Sequence, residues 1–245
     1  MTSQSLVTYK CKECSDTGWV KTNDNSYREC KCVEINFIKG CWENYGVKPE
    51  EVKPLKDYIA YNKICASAKR KAAKYIENYS DVSATENNWF GLFGQAGAGK
   101  SLIAIAIGAA LLNMEPKPKR VIYMPYIEAI RELKVNVLDD ESYIKLLTRY
   151  QKAEVLVIDD LFKDKIKSNK VAYELSEADI KHIYPIINYR YFNKMPTIIS
   201  SECTPNMLLE LDGALGGRIL ERCDDNITVF VGAEFNFRLK KFEKR

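Results

Sequence analysis

The sequence predicts an α/β fold in which a five-stranded parallel sheet has helices on both faces and follows a small cysteine-bearing module. Three observations predict it: a glycine-rich loop between a strand and a helix, a buried strand that ends in two aspartates, and two close cysteine pairs. Of the 245 residues, 46% are hydrophobic and 29% are charged, as in ordinary globular proteins. This length indicates one full-sized domain with a small appendage.

Hydropathy and charge exclude several classes of protein. The longest apolar run, residues 102–112, is shorter than the roughly 20 residues that a bilayer requires. The N-terminus has no apolar segment of a secretory signal, so we expect a cytoplasmic protein without membrane contact. The formal charge of +4 is too small to indicate a nucleic-acid partner by itself. Two basic clusters are either phosphate contacts or solvated surface: Lys63, Lys69, Arg70, Lys71 and Lys74, and near the C-terminus Arg238, Lys240, Lys241, Lys244 and Arg245.

Four of the eight cysteines form two close pairs, Cys11 with Cys14 and Cys30 with Cys32. Residues 19–22 and 27–30 predict two short strands with a turn between them, and such a hairpin can bring four thiolates around one Zn²⁺. Because no coordination position would remain open, this zinc would stabilise the segment and not catalyse, which leaves a docking surface as its purpose. The isolated cysteines are expected to be buried thiols: Cys41, Cys65, Cys203 and Cys223.

Two prolines mark the predicted boundary between the cysteine module and the nucleotide-binding domain. Residues 33–45 predict a helix, and Pro49 and Pro54 indicate a connector after it. We therefore expect a zinc-binding and docking module at 1–45, a linker at 46–58 and a nucleotide-binding domain at 59–245.

The glycine-rich loop follows a strand predicted at residues 88–93 and precedes the apolar helix. It matches the phosphate-binding pattern G-x-x-x-x-G-K-[ST] with Gly94, Gln95, Ala96, Gly97, Ala98, Gly99, Lys100 and Ser101. Glycines let the backbone amides surround phosphate oxygens, and the helix adds the positive end of its dipole. Lys100 is expected to bind the β and γ phosphates, and Ser101 to ligate Mg²⁺.

A second chemical signal follows a buried strand predicted at residues 153–158. Acids at the carboxyl end of a central parallel strand face the crevice where phosphates bind. Asp159 is therefore expected to ligate Mg²⁺, directly or through water, and Asp160 to orient and activate the attacking water.

Strands and helices alternate over the rest of the chain. Further strands are predicted at 120–124, 196–200 and 226–231, and helices at 126–133 and 142–152. Ser176 begins another helix with Asp179 as its capping-box partner, Pro185 predicts a kink in it, and Pro205 opens a short helix. Five strands separated by helices predict a parallel sheet with the nucleotide at the carboxyl ends of its strands.

This order of motifs resembles the AAA+ ATPases, and within them the DnaC/DnaI-type helicase loaders, of phage or prophage type, with the IstB transposition ATPases as relatives. The resemblance is carried by residues 94–101, 155–162, 188–191, 196–202 and 214–222. It implies ATP as the nucleotide, the lack of a C-terminal lid domain, self-association through the ATP site, and the loading of a replicative hexameric helicase onto single-stranded DNA.

The resemblance also implies roles for individual residues. Ser201 would contact the attacking water, although Glu202 stands where the family usually has asparagine. Arg218, with Arg222 as the next candidate, resembles the arginine finger that enters a neighbouring subunit's site, and Arg238 would partly replace the sensing arginine of the lid. The helical stretch at 139–152 resembles an insertion that builds open spirals. A basic loop with Lys163, Lys165, Lys167 and Lys170 either contacts single-stranded DNA or is a solvated surface loop.

Two alternatives stay open. An IstB-like helper would deliver target DNA to a transposase with the same core chemistry, whereas the cysteine module favours the loader. A nucleotide-dependent adaptor with negligible hydrolysis is supported by Glu202.

Overall fold

The computed structural model describes residues 9–232 and 235–237. Its strands are β1 (Trp19–Lys21), β2 (Tyr27–Glu29), β3 (Phe90–Gly94), β4 (Val121–Pro125), β5 (Val155–Leu161), β6 (Ile166–Lys167), β7 (Lys170–Val171), β8 (Thr197–Ser201) and β9 (Ile227–Phe230). Its α-helices are α1 (Lys31–Tyr45), α2 (Lys63–Glu77), α3 (Tyr79–Ser83), α4 (Lys100–Leu112), α5 (Tyr126–Val135), α6 (Asp140–Gln151), α7 (Glu177–Phe192), α8 (Pro205–Leu211) and α9 (Gly213–Cys223). Arg238 and the rest of the C-terminal basic cluster lie outside the described residues.

The central sheet has five parallel strands in the order β4-β5-β8-β3-β9. The predicted fold class is thereby confirmed. Side chains alternate between the two faces of a strand, so β5 contributes Val155 and Val157 to one hydrophobic core and Leu156 and Ile158 to the other. Because both faces are buried, β5 reads as a continuous apolar run instead of an alternating one.

Helices cover both faces of the sheet. The first core contains side chains of α1, α2 and α4, and the second contains side chains of α5, α6, α7 and α9. Helix α4 is apolar nearly all round, which is typical of a helix buried on several sides. Within the described residues, every helix is too short or too polar to cross a lipid bilayer.

Helix boundaries largely follow the predicted capping residues. The capping box between Ser176 and Asp179 is present at the start of α7, and Thr204 caps α8. Helix α7 continues through Pro185 to Phe192.

Helix α1 packs directly against the nucleotide-binding core. Tyr45 in its last turn is fully buried, and its hydroxyl donates a 2.8 Å hydrogen bond to the carbonyl of Ile105 in α4. Gly108 makes room for this ring, because a Cβ there would lie 2.5 Å from the Tyr45 hydroxyl. The end of α1 is therefore fixed on the helix that follows the glycine-rich loop.

The basic cluster on α2 is only partly free. Lys69 donates to the carbonyls of Lys56 and Tyr58, and Lys71 donates to those of Asp225 and Ile227. These two lysines hold neighbouring segments of the fold in place.

Candidate nucleotide site and cysteine cluster

The glycine-rich loop connects β3 to α4 at the carboxyl edge of the sheet. Gly94 and Gly99 adopt positive φ angles of 101° and 84°, and a Cβ on Gly94 would overlap the carbonyl of Phe230. The amide of Gln95 donates to that same carbonyl at 2.7 Å. The amides of residues 96–99 donate no hydrogen bond within the described part of the chain. Free amides at the start of a helix form an anion-binding site.

Tyr58 supports this loop from the segment before the nucleotide-binding domain. Its hydroxyl donates to the carbonyl of Ala98 at 3.1 Å, and its ring would lie 2.7 Å from a Cβ on Gly99. Tyr58 is buried, although a lone tyrosine among polar residues gave no signal in the sequence.

Lys100 is folded back onto its own loop. Its Nζ donates to the carbonyls of Gly94 and Gln95 at 2.7 and 2.8 Å, and the residue is only 5% exposed. Burial lowers the pKa of Lys100 to about 8, against the opposing charges of Glu202 and Asp160. An incoming phosphate would supply the anionic partner that this buried ammonium lacks.

The loop forms one wall of a cavity of about 540 Å³. This volume is within the range of small-molecule sites. The cavity is lined by Lys53, Ala96, Gly97, Gly99, Lys100, Ser101, Leu102, Asp160, Lys163, Glu202 and Phe237. Five of the eight predicted loop residues and the second aspartate therefore face one space, whereas Gly94, Gln95 and Ala98 do not line it. The free amides, the hydroxyl and the cations around this space fit a triphosphate with its metal.

Asp159 does not line the cavity. It is 7% exposed, and its two carboxylate oxygens accept hydrogen bonds from the hydroxyls of Ser200 and of Tyr123, the latter at 2.8 Å. These bonds fix the orientation of the carboxylate. Its predicted role as a Mg²⁺ ligand stays a prediction.

Asp160 turns toward the cavity because the strand is irregular at this point. It has a positive φ of 56°, and the pairing of β5 with β8 shifts register between Ile158 and Leu161. The amide of Asp160 donates to the Ser200 hydroxyl at 3.0 Å. Ser200 thus contacts both aspartates, a role that no sequence pattern had indicated.

The two residues after Ser200 point to different places. Ser201 is fully buried; its hydroxyl donates to the carbonyl of Leu161 at 2.5 Å and accepts the amide of Cys203. The structure does not bring Ser201 into the cavity, where we expected it to contact water. Glu202 lines the cavity instead.

The expected basic loop is replaced by a short hairpin, β6 with β7, after a single 3-10 turn. Lys163 pairs with Asp160 at 2.6 Å, and Lys165 is buried against Asp179 at 2.6 Å. These two lysines are not free for DNA, because acids close in space neutralise them. Lys167 and Lys170 are exposed.

The two candidate finger arginines lie on α9, and neither lines the cavity of its own chain. Arg218 is half-buried; its guanidinium donates to the Tyr184 hydroxyl at 2.8 Å and lies over that ring. Arg222 is 6% exposed and donates to the carbonyls of Glu86 and Tyr191. The geometry favours Arg218 over Arg222 as the residue able to reach another subunit.

The four paired cysteines converge at the start of α1. All of their sulfur atoms lie within 4.8 Å of one another, with Cys11 3.7 Å from Cys30 and Cys14 3.4 Å from Cys32. A tetrahedral site with Zn–S bonds near 2.3 Å places its sulfurs roughly 3.8 Å apart. All four cysteines are free thiols, and the donor set therefore fits Zn²⁺.

Charge makes this cluster depend on a cation. Hydrogen bonds from the backbone amides of Cys14 and Glu13 lower the pKa of Cys11 to about 7. The hydrogen bond to Cys14 raises the pKa of Cys32 strongly. Four thiols this close cannot all be thiolates without a positive ion between them.

The module around this cluster exposes apolar side chains. Trp19 and Tyr27 on the β1–β2 hairpin are 55% and 66% exposed, and Ile35 on α1 is 63% exposed. Exposed aromatic side chains of this kind are typical of protein-binding surfaces.

Comparison with known proteins identifies the family of most of the chain. The family described as the bacterial DnaA ATPase domain matches residues 56–221. The uncharacterised protein YqaM of Bacillus subtilis is 31% identical over 237 residues, which cover 95% of this chain and 73% of YqaM. The protein XkdC of the phage-like element PBSX of Bacillus subtilis is 29% identical over 246 residues, covering 95% of this chain and 87% of XkdC.

Solved structures share the fold at lower identity. A DnaC helicase loader superimposes with a TM-score of 0.60 and 22% identity, covering 79% of this chain and 99% of that one. DnaI gives a TM-score of 0.54 with 24% identity over 72% of this chain and 89% of DnaI. A DnaA initiator bound to AMPPCP and single-stranded DNA gives 0.58 with 17% identity, over 81% of this chain and 57% of DnaA.

Proposed function

Because the chain belongs to the family of the bacterial DnaA ATPase domain, a family of AAA+ replication ATPases, we propose that it is an ATP-dependent loader of a replicative hexameric helicase onto single-stranded DNA. The observation that carries this proposal is the similarity to the DnaC helicase loader, which extends over 99% of that chain. The relative from a phage-like element supports a loader of phage type, and a cytoplasmic place of action follows.

The cavity supports ATP binding and hydrolysis. The free amides of residues 96–99 and the Lys100 ammonium would bind the phosphates. Ser101, which lines the cavity, would hold Mg²⁺, and Asp159 would hold it directly or through water. The metal, when bound, neutralises charge on the β and γ phosphates. Asp160, which faces the cavity, orients the attacking water and accepts its proton.

Self-association completes the site. Arg218 lies on α9 and does not line the cavity of its own chain, so we assign it to the cavity of a neighbouring subunit. There its guanidinium stabilises charge that develops on the transferred phosphoryl group.

The cysteine module is proposed as the docking surface for the helicase. Zinc fixes the hairpin, and Trp19, Tyr27 and Ile35 present the apolar surface. The exposed Lys167 and Lys170 at the β6–β7 hairpin are the candidates for phosphate contacts with single-stranded DNA.

Hydrolysis is tested with purified protein, single-stranded DNA and the helicase. We expect turnover of ATP by the wild type, and Asp160→Ala should bind ATP yet hydrolyse it at least about a hundredfold more slowly. Asp225→Ala serves as the control, because Asp225 is exposed at the opposite edge of the sheet. If the wild type binds ATP and the helicase but never hydrolyses ATP, the nucleotide-dependent adaptor is the correct function.

Trans action is tested by mixing two inactive variants. Arg218→Ala keeps an intact cavity and Lys100→Ala keeps an intact arginine, so mixed assemblies should recover part of the wild-type rate. Each variant alone provides the control. A mixture that stays as inactive as its components contradicts the role of Arg218.

The partner is tested by co-purification. The wild type should form a complex with the hexameric helicase, and Trp19→Ala should weaken that complex without changing ATP binding. Capture of a transposase in place of the helicase would favour the IstB-like helper.

A further inference from the structure

Lys163 forms a charged cluster with two acids on the wall of the nucleotide cavity. Its Nζ lies 2.6 Å from Asp160 Oδ2 and 3.3 Å from Glu202 Oε1, and all three residues line the same space as Lys100 and Ser101. One ammonium thus links the predicted water-activating acid to an acid that enters the cavity from the end of β8.

The backbone holds Lys163 in this position. Phe162 has a left-handed φ of 59°, which reverses the chain after β5 and returns Lys163 toward the cavity. The Phe162 ring is 1% exposed and packs edge-on against Tyr126 at 5.5 Å. The turn is therefore anchored in the core and is not a free loop.

The lysine is a cation throughout the physiological pH range. Burial alone would lower the pKa of Lys163, but the hydrogen bond and charge of Asp160, together with Glu202, raise it. Lys100, by contrast, donates to carbonyls of its own loop. Lys163 is thus the ammonium that already stands beside the acids of this cavity.

An isolated Glu202 would oppose the proposed ligand. A carboxylate that faces a triphosphate repels it at short range in a partly buried space. With Lys163 beside it, the charge of Glu202 is balanced, and only Asp160 adds a net negative charge to the cluster. The Lys163 ammonium lines the cavity, where it can turn from Asp160 toward an anion. Glu202 is thus compatible with an anionic ligand because Lys163 lies beside it.

We propose that Lys163 binds the γ-phosphate of ATP and that Glu202 positions Lys163 for this contact; the inference rests on the proposed ATPase function. Without nucleotide, the Lys163 ammonium occupies one oxygen of Asp160. When the γ-phosphate takes up that ammonium, the Asp160 oxygen becomes free to accept a proton from water. Glu202 acts through Lys163 and keeps it at the cavity in both states.

Four proteins test the contact: wild type, Lys163→Met, Lys163→Arg and, as a matched control, Lys117→Met. Lys117 is exposed before β4, at the opposite edge of the sheet. Dissociation constants for Mg²⁺-ATP and Mg²⁺-ADP are measured by calorimetry. Lys163→Met should weaken ATP binding by about tenfold or more, as for a lost charge-assisted hydrogen bond, and ADP binding by less than about threefold. Lys163→Arg should recover most of the preference for ATP, and Lys117→Met should match the wild type.

The direction in which Glu202→Gln changes the affinity for ATP shows whether Glu202 positions Lys163 or only repels the nucleotide. In the wild-type background, Glu202→Gln should weaken ATP binding and lower kcat, because Lys163 loses one of its two acidic partners. In the Lys163→Met background, the same substitution should strengthen ATP binding, because it only removes a negative charge. If Glu202→Gln strengthens ATP binding in both backgrounds, the positioning role is wrong.

Other outcomes of these measurements also test the contact between Lys163 and the γ-phosphate. Equal losses of ATP and ADP affinity in Lys163→Met overturn the γ-phosphate contact. A wild type that hydrolyses ATP but binds ATP and ADP equally retains the proposed function and refutes this inference, whereas a wild type that binds neither nucleotide refutes both. Circular dichroism checks the folding of each variant. If Lys163→Met does not fold, the ratio of the dissociation constants for ADP and ATP in Lys163→Arg and Glu202→Gln tests the contact instead.

Discussion

Raising the pH from 7 to 9 should weaken nucleotide binding because Lys100 loses its proton in this interval. Burial lowers the pKa of Lys100 to about 8 in the free protein, where its ammonium donates to the carbonyls of Gly94 and Gln95. In the complex, the phosphates favour the charged form and raise this pKa. Binding therefore takes up a proton above pH 8, and affinity falls as the pH rises.

The magnitude follows from the protonated fraction. A group with a pKa of about 8 is roughly 90% protonated at pH 7 and roughly 10% protonated at pH 9. The dissociation constant should therefore increase about tenfold, which corresponds to ~1.4 kcal/mol. Lys163 does not share this titration, because its acid partners raise its pKa.

The assay is a calorimetric titration with a non-hydrolysable ATP analogue at constant ionic strength from pH 7 to 9.5. Lys100→Arg is the control, since a guanidinium stays charged over this range and should give a flat profile whatever its absolute affinity. If the wild type is flat as well, or if both proteins lose affinity in parallel, the buried lysine is not the cause.

Three further predictions concern stability and metal. A chelator should remove one zinc ion per chain, measured by mass spectrometry, and should unfold the β1–β2 hairpin, whereas Cys30→Ser should not bind zinc at all. Arg190→Met should lower the free energy of unfolding in urea by more than about 3 kcal/mol, because the fully buried guanidinium makes five hydrogen bonds that are lost. The exposed Arg70→Met should change it by less than ~0.5 kcal/mol. Tyr45→Phe should cost ~1 kcal/mol in the same measurement, for its single hydrogen bond to Ile105, and an unchanged value would mean that α1 is not fixed there.

The sequence predicted the sheet because its signals are local. The buried apolar run of β5, the glycine-rich loop and the capping box at Ser176 each depend on residues a few positions apart. Their positions in the structure agree with the prediction to within a few residues. The predicted strand at 153–158 is too short, because β5 runs on through the aspartates to Leu161.

The sequence could not predict contacts between remote residues. In the sequence, Lys163 belongs to a basic loop. In the structure it lies beside Glu202, which is 39 positions later in the chain. Ser200 and Tyr123 acquire a role only because β8 and β4 flank β5 and bring their hydroxyls to Asp159. A hydroxyl residue within an apolar strand forms no recognisable sequence pattern. Its hydrogen-bond partner is therefore known only once the packing of the strands is known.

The rigid length of α1 has a mechanical consequence. Cys30 precedes α1, Cys32 lies in its first turn, and Tyr45 in its last turn contacts α4. The cysteine cluster and the helix that follows the glycine-rich loop therefore lie at the two ends of one helix, ~22 Å long. A helix does not slacken as a tether does. A force or torque on the β1–β2 hairpin would therefore be transmitted through α1 to α4. The orientation in which a partner binds the cysteine cluster would then change the position of the glycine-rich loop.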